Sequence, residues 1–216
     1  MPDQSEDTLP LEQQLALAHC SGKSRAVLAS FLRLDNRLGR FVSRASEPIV
    51  TQLRLAWWRD QLGKKTAERP TGDHILDGLS QAWSGDEVPL INLVDAWESL
   101  LAEPPLSDDV LIDFCNARAA CFANAVKSDD GAAAKQAGFC WAFADYAQQS
   151  GDDVERKHIA DLAKPFTADG FALPYRWRSI AILGELGRRA IERGGGPMVS
   201  SRRDALVISR LGLLGR

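Results

Sequence analysis

The sequence predicts an all-α protein of about eight to ten helices. Apolar residues recur every three or four positions along most of the chain, which is the spacing of one helical face. No segment alternates apolar and polar residues for long enough to favour a strand. Turn-forming Gly, Pro and Asp residues separate the apolar runs. We therefore expect one helical domain over residues 10–216, preceded by a flexible N-terminal segment, 1–9.

The apolar pattern also predicts where the individual helices lie. The first long helix rests on a series that steps by three and four: Val27, Phe31, Leu34, Leu38, Phe41 and Ala45. Ser46 is the expected N-cap of a second helix, which has Pro48 in its first turn and ends near Gly63. Further helices are predicted over 73–83, 88–102, 107–127, 132–149, 152–164, 174–193 and 202–213.

Composition and charge exclude several classes of protein. The chain of 216 residues has 26 Lys and Arg against 29 Asp and Glu, a net charge of -3, which argues against a nucleic-acid-binding protein. The four cysteines form no C-x-x-C pair and the three histidines lie far apart, so zinc and thiol–disulfide chemistry have no support. The acidic, polar start is unlike a signal peptide, and no stretch reaches the ~20 apolar residues of a membrane span. We expect a cytoplasmic protein.

One helix carries a stripe of arginines. Arg33, Arg37, Arg40 and Arg44 step by four, three and four, so they share one side of the first long helix. Guanidinium groups in such a row bind phosphate or an acidic partner, but they also form ordinary solvated faces or pair with acidic neighbours. The sequence leaves these alternatives open.

Two further patterns stand out because of their residue types. Residues 53–60 (LRLAWWRD) contain adjacent tryptophans, and Arg54 lies one turn before Trp58, close enough to stack on its indole. Large aromatic residues in a helix more often pack between helices, so a packing role is the alternative. Asp145 and Asp153 lie eight residues apart, a spacing that suits either a shared Mg²⁺ ion or ordinary helix ends.

Part of the chain resembles the squalene/phytoene synthase family. The resemblance is carried by Phe31–Arg40 (FLRLDNRLGR), by Ser46-Glu47-Pro48 and by LRLAWWRD, and it is close over about residues 25–62. It implies an isoprenoid-synthase fold, which is a helical bundle around a central apolar cavity. It also implies head-to-head condensation of two prenyl diphosphates, assisted by Mg²⁺ ions that two Asp-rich motifs hold.

The carboxylates that this chemistry requires are partly missing. Aligned on the resemblance, the first Asp-rich motif falls on residues 39–43, with Gly39 and Ser43 at its outer positions. The second falls on Gln149 and Asp153, so one of its ends is an amide. We therefore expect a family member that no longer performs the condensation. It would act in lipid binding or in assembly, as do relatives with eroded motifs.

The resemblance also implies which residues and partners to expect. A prenyl or other lipid chain is the expected ligand, a protein partner and peripheral membrane contact fit an assembly role, and no cofactor is expected. The residues expected to bind substrate are Arg40, Arg54, Trp58 and Asp145.

Two alternatives stay open, and with them the question whether any catalysis remains. One is a Mg²⁺-dependent prenyl-diphosphate transferase with a reduced metal site, made of Asp35, Asp145 and Asp153. The other is an interaction domain whose core is filled and has no pocket.

Overall fold

The computed structural model describes residues 8–20, 22–45, 47–103, 105–167 and 171–214. Within these ranges the protein contains ten α-helices and no strand, which confirms the predicted fold class and number of helices. The helices are α1 (Leu11–Ala18), α2 (Gly22–Ser43), α3 (Pro48–Gly63), α4 (His74–Ala82), α5 (Val88–Ser99), α6 (Asp108–Val126), α7 (Gly131–Gln149), α8 (Asp153–Ala163), α9 (Arg178–Glu192) and α10 (Arg202–Leu214). Short 3₁₀ turns lie at Thr66–Glu68, Lys164–Phe166 and Tyr175–Trp177.

Helix starts follow the capping residues in the sequence. The Asp73 carboxylate accepts hydrogen bonds from the backbone N–H groups of Ile75 and Leu76 at 2.9 and 3.0 Å. Asp152 caps α8 in the same way. These residues stand first in the predicted helices 73–83 and 152–164, and each is the N-cap rather than the first helical residue. Pro48 begins α3 as predicted, whereas Ser46, the expected N-cap, lies outside the described residues.

Two predicted helices exceed the observed ones by three residues or more. The prediction 88–102 becomes α5, which ends at Ser99 because the next turn tightens to i→i+3 hydrogen bonds, from Leu101 N–H to the Glu98 carbonyl at 3.0 Å. The predicted helix 174–193 is a 3₁₀ turn followed by α9. Pro174 has an extended backbone, and its carbonyl accepts a hydrogen bond from the Trp177 N–H at 2.7 Å, which forms the 3₁₀ turn. The sequence did not delimit α1 as a separate helix.

The N-terminal segment is described only in part. Of the segment 1–9, which was expected to be flexible, residues 1–7 lie outside the described ranges. Leu9 is partly buried against the core, and its carbonyl accepts a hydrogen bond from the Gln14 side chain at 2.6 Å. Leu9 therefore already belongs to the packed part of the protein.

The core is built around α7, which packs against α6 on one side and α9 on the other. The close approach of α9 depends on glycine. A Cβ atom at Gly184 would lie 2.7 Å from Cα of Ala137, and one at Gly187 would meet the backbone of Cys140. Beside this contact, the ring of Phe31 on α2 lies 5.2 Å from that of Phe122 and 6.3 Å from that of Trp141. Aromatic packing thus fixes α2 against α6 and α7.

Among the described residues, no helix combines the length and the apolar character needed to cross a bilayer. The four cysteines are buried free thiols, and burial raises the pKa of Cys140 to about 12.

Candidate functional site: a pocket between α2, α5, α6 and α7

A pocket of about 400 Å³ opens where α2, α5, α6 and α7 meet. This volume lies within the ~300–1,000 Å³ of typical small-molecule sites. Its existence argues against the alternative of a filled core without a pocket. Besides Pro10, Asn36, Val42, Leu100 and Leu106, it is lined by Asp35, Gly39, Arg40 and Ser43 of α2, Trp97 of α5, Arg118 of α6, and Asp145, Tyr146 and Gln149 of α7.

The floor of the pocket is an ionic cluster of Asp35, Arg118 and Asp145. The Arg118 guanidinium binds Asp35 through two hydrogen bonds, Nε to Oδ1 at 3.0 Å and Nη2 to Oδ2 at 2.6 Å. Nη2 also donates to Oδ2 of Asp145 at 2.7 Å. The Asp35 and Arg118 side chains are 1% and 2% exposed, and that of Asp145 is 13% exposed. Asp145 is therefore the member of the cluster that is most open to the pocket.

Aromatic rings and a carbonyl complete the surroundings of Arg118. Its guanidinium lies over the ring of Trp141, 4.1 Å from the centroid, and near the ring of Phe114 at 5.2 Å. Nη1 donates to the carbonyl of Ala142 at 3.3 Å. The indole N–H of Trp97 donates to Oδ1 of Asp35 at 2.9 Å. The cluster therefore joins α2, α5, α6 and α7 through hydrogen bonds.

Burial and ion pairing act in opposite directions on the pKa values at this floor. Burial raises the pKa of Asp35 above its usual value, although the adjacent Arg118 guanidinium opposes the effect. Burial alone would lower the pKa of Arg118, but Asp35 and Asp145 together raise it, so the guanidinium stays charged. On α1, burial also raises the pKa of Glu12, and the charge of Asp145 adds to the rise. One permanent cation therefore lies among three carboxyl groups.

The predicted magnesium ligands are not assembled into one site. Asp35 and Asp145 both face the Arg118 guanidinium, which occupies the position between the two carboxylates. Asp153 is exposed at the start of α8 and pairs with Arg156 at 2.8 Å. Within the part of the chain that the structure describes, no group of three or more His, Cys, Asp or Glu side chains is arranged to hold a metal ion. The residues present do not fit the metal site that the resemblance implies.

Three of the four outer positions at which the resemblance places aspartates line this pocket. Gly39 and Ser43 approach it from α2, and Gln149 approaches it from α7. These three positions therefore lie on the side of the bundle where the pocket opens. The side chains there are a hydrogen atom, a hydroxyl and an amide, and none of them carries a charge that could hold a metal.

The four predicted substrate-binding residues divide between two places. Arg40 and Asp145 line the pocket, whereas Arg54 and Trp58 line a separate, open groove of about 410 Å³ beside α3. Trp58 is 2% exposed and packs edge-on against Trp57. Arg54 lies over the ring of Phe41, 5.5 Å from its centroid, rather than on Trp58 as the spacing suggested.

The rest of the same string serves packing. Arg59 of α3 bonds to Asp95 at 2.6 Å and to Glu98, both on α5. Arg59 therefore attaches α3 to α5, and the buried Trp58 belongs to the core, which is the packing role left open by the sequence. Trp57 is 41% exposed. In the arginine stripe, Arg37 pairs with Asp73 at 3.5 Å, and Arg33 and Arg44 are exposed.

Sequence reasoning missed Arg118, the central residue of the floor. A signal for it exists: Phe114, Arg118 and Phe122 step by four on α6, so the arginine lies in an otherwise apolar stripe. An arginine on a buried helix face requires a carboxylate partner, because an unpaired buried charge is very costly.

Comparisons of the chain with family models, with curated proteins and with solved structures find no match.

Proposed function

We propose that the chain is a squalene/phytoene synthase-like protein that binds a prenyl or other lipid chain in the pocket and does not catalyse head-to-head condensation. The observation that carries this proposal is the Arg118 guanidinium between Asp35 and Asp145. Ionisation of an allylic diphosphate requires cations at the departing oxygens. In this pocket the cation that faces the buried Asp35 and the partly exposed Asp145 is the guanidinium of Arg118.

The walls of the pocket support a lipid ligand. Val42, Leu100 and Leu106 give apolar surface above the ionic floor, and the rings of Trp97 and Tyr146 add to it. Apolar walls with a few convergent polar groups are typical of small-molecule sites. An assembly role, with a protein partner, remains compatible with a bound lipid.

Catalysis is tested with farnesyl and geranylgeranyl diphosphate, with and without Mg²⁺, by following released diphosphate and any coupled product. We expect neither above the level of a heat-treated control. Mg²⁺-dependent release with a C–C coupled product would contradict the proposal and favour the transferase alternative.

Lipid binding is tested with a variant that fills the pocket. Ser43 is exposed and lines the pocket rim, so Ser43→Phe places a ring at the opening without disturbing the floor. We expect it to reduce binding of a farnesyl chain by about tenfold or more, measured by calorimetry. Ser209→Phe is the matched control, since Ser209 is an exposed helical serine on α10. Equal binding by both variants and the wild type would place the lipid elsewhere.

A further inference from the structure

We propose that the pocket selects an apolar chain that carries an uncharged hydroxyl head group, and that it binds this ligand without a divalent cation. The inference rests on the proposed function, because it concerns the same pocket, and it names the chemical class of the ligand. Its basis is the balance of donors, acceptors and charge at the floor.

The Arg118 guanidinium at the floor is already engaged. Arginine has five N–H donors, and four of those of Arg118 are used: one at Nε and one at Nη2 by Asp35, one at Nη2 by Asp145 and one at Nη1 by Ala142. The face of the guanidinium is covered by the ring of Trp141. The bidentate grip by which arginine holds a phosphate group is therefore not available at the floor.

The charge near the floor also opposes an anionic head group. The single guanidinium of Arg118 is shared by Asp35 and Asp145, so the floor has no surplus positive charge to offer an anion. Arg40 is the other cationic side chain that lines the pocket within the described residues. A diphosphate carries several negative charges, and repulsion between like charges is strong where water is largely excluded.

What the floor does offer is a hydrogen-bond acceptor. Oδ2 of Asp145 is bound to Arg118, and Oδ1 accepts one long hydrogen bond, 3.3 Å, from the Gln148 side chain. A carboxylate has about four lone-pair sites, so Asp145 keeps unused capacity at its partly exposed edge. A hydroxyl O–H matches this capacity, because a hydrogen bond to a carboxylate is charge-assisted and strong.

The experiment compares head groups on one chain. Dissociation constants are measured by calorimetry for farnesol, for farnesyl methyl ether, which lacks the O–H donor, and for farnesyl diphosphate with and without Mg²⁺. We expect farnesol to bind about tenfold more tightly than the ether, which is the effect of one such hydrogen bond. We expect farnesyl diphosphate to bind more weakly than farnesol, with no gain from Mg²⁺.

Variants locate the hydroxyl. Asp145→Asn keeps an acceptor oxygen but removes its charge, so it is expected to weaken farnesol binding several-fold and to reduce the preference over the ether. Asp113→Asn is the control, since Asp113 is an exposed residue of α6 outside the pocket. Asp145 also pairs with Arg118, so the ether comparison on the wild-type protein serves as the test if Asp145→Asn does not fold.

Each contrary outcome has a separate meaning. Tighter binding of the diphosphate than of farnesol, or binding that needs Mg²⁺, overturns this inference but leaves a lipid-binding pocket. Diphosphate binding that is lost in Arg40→Gln would show that the rim, not the floor, selects the head group, and it also overturns the inference. If no farnesyl compound binds, the proposed function itself fails.

Discussion

Two buried carboxylates, Asp204 near the C-terminus and Asp35 below the pocket, obtain their hydrogen bonds in opposite ways. Asp204 accepts the backbone N–H groups of Ser200 and Ser201, each at 3.0 Å, and Nε of Arg189 at 3.1 Å. Asp35 accepts two hydrogen bonds from Arg118 and one from Trp97, and it shares that guanidinium with Asp145. Asp204 accepts hydrogen bonds from several separate donors. Asp35 and Asp145 instead share one guanidinium.

The pKa values follow this difference. Burial tends to raise the pKa of both carboxyl groups. At Asp204 the N–H of Ser200, the Arg189 guanidinium and Ser201 outweigh burial and hold the pKa well below its usual range. At Asp35 burial prevails and the pKa is raised. Asp204 therefore attaches α10 to α9. In the cluster below the pocket, Asp145 keeps the capacity to accept a further hydrogen bond from a ligand.

The largest effect is expected when the shared cation is removed. Arg118→Met leaves Asp35 and Asp145 buried without a counter-charge, which costs about 3–5 kcal/mol of unfolding free energy. Urea denaturation measures the loss. The double variant Arg118→Met/Asp35→Asn serves as the control, because it removes one orphaned charge, and we expect it to recover part of the stability. A loss below about 1 kcal/mol in the single variant would show that the cluster is not desolvated.

A smaller effect is expected at the other carboxylate. Asp204→Asn removes the charge that the two serine N–H groups and Arg189 share, and we expect a loss of about 2 kcal/mol at neutral pH. Because α10 depends on this contact, limited proteolysis should cut near residues 200–214 first. Cleavage that begins elsewhere would show that α10 is held mainly by its apolar face.

The same carboxylate predicts a pH dependence. The folded pKa of Asp204 lies below the ordinary value of 3.8, so its contribution is complete above the ordinary value and is lost as the pH falls through the folded pKa. The difference in unfolding free energy between wild type and Asp204→Asn should therefore be constant at neutral pH and shrink in acid. Denaturation curves at a series of pH values test this, and a difference that grows in acid would reverse the assigned sign.

The sequence predicted the elements well because their signals are local. Apolar spacing located the helices, and Asp73 and Asp152 marked two helix starts within one residue. Pro174 gave the wrong start for α9, because the three residues after it form a 3₁₀ turn that buries Trp177 before the α-helix begins. Local patterns thus give the elements, and tertiary contacts adjust their ends.

The sequence indicated some residues that line the pocket, but it did not indicate how the floor is built. The positions 39, 43 and 149 face it, but the pairing of Arg118 with Asp35 joins residues 83 positions apart, and no local pattern contains that information. The spacing from Asp145 instead pointed to Asp153, and that residue lies on the surface beside Arg156. Spacing along one helix identifies residues that share a face, but it does not identify their partners on other helices.

The smallest effect on stability is expected for the exposed pair of Asp108 and His158. This pair tests whether burial is the reason for the larger effects expected at Arg118 and Asp204. Asp108 at the start of α6 lies 2.8 Å from Nε2 of His158 on α8, and their side chains are 51% and 56% exposed. The hydrogen bond to Asp108 and its charge raise the pKa of His158 above 6.5. The stability that the pair adds is thus complete below pH 6.5 and disappears as the pH rises through the raised value.

In Asp108→Asn the pKa of His158, measured by NMR titration, should fall back towards 6.5, with Asp109→Asn as the control on the adjacent carboxylate. The unfolding free energy should hardly change, because water screens an exposed pair. Asp108→Asn could instead destabilise the protein as much as Asp204→Asn. Hydrogen-bond geometry rather than burial would then determine how much Asp35, Asp108 and Asp204 each contribute to the unfolding free energy. The contrast between Asp35 and Asp204 would then need another cause.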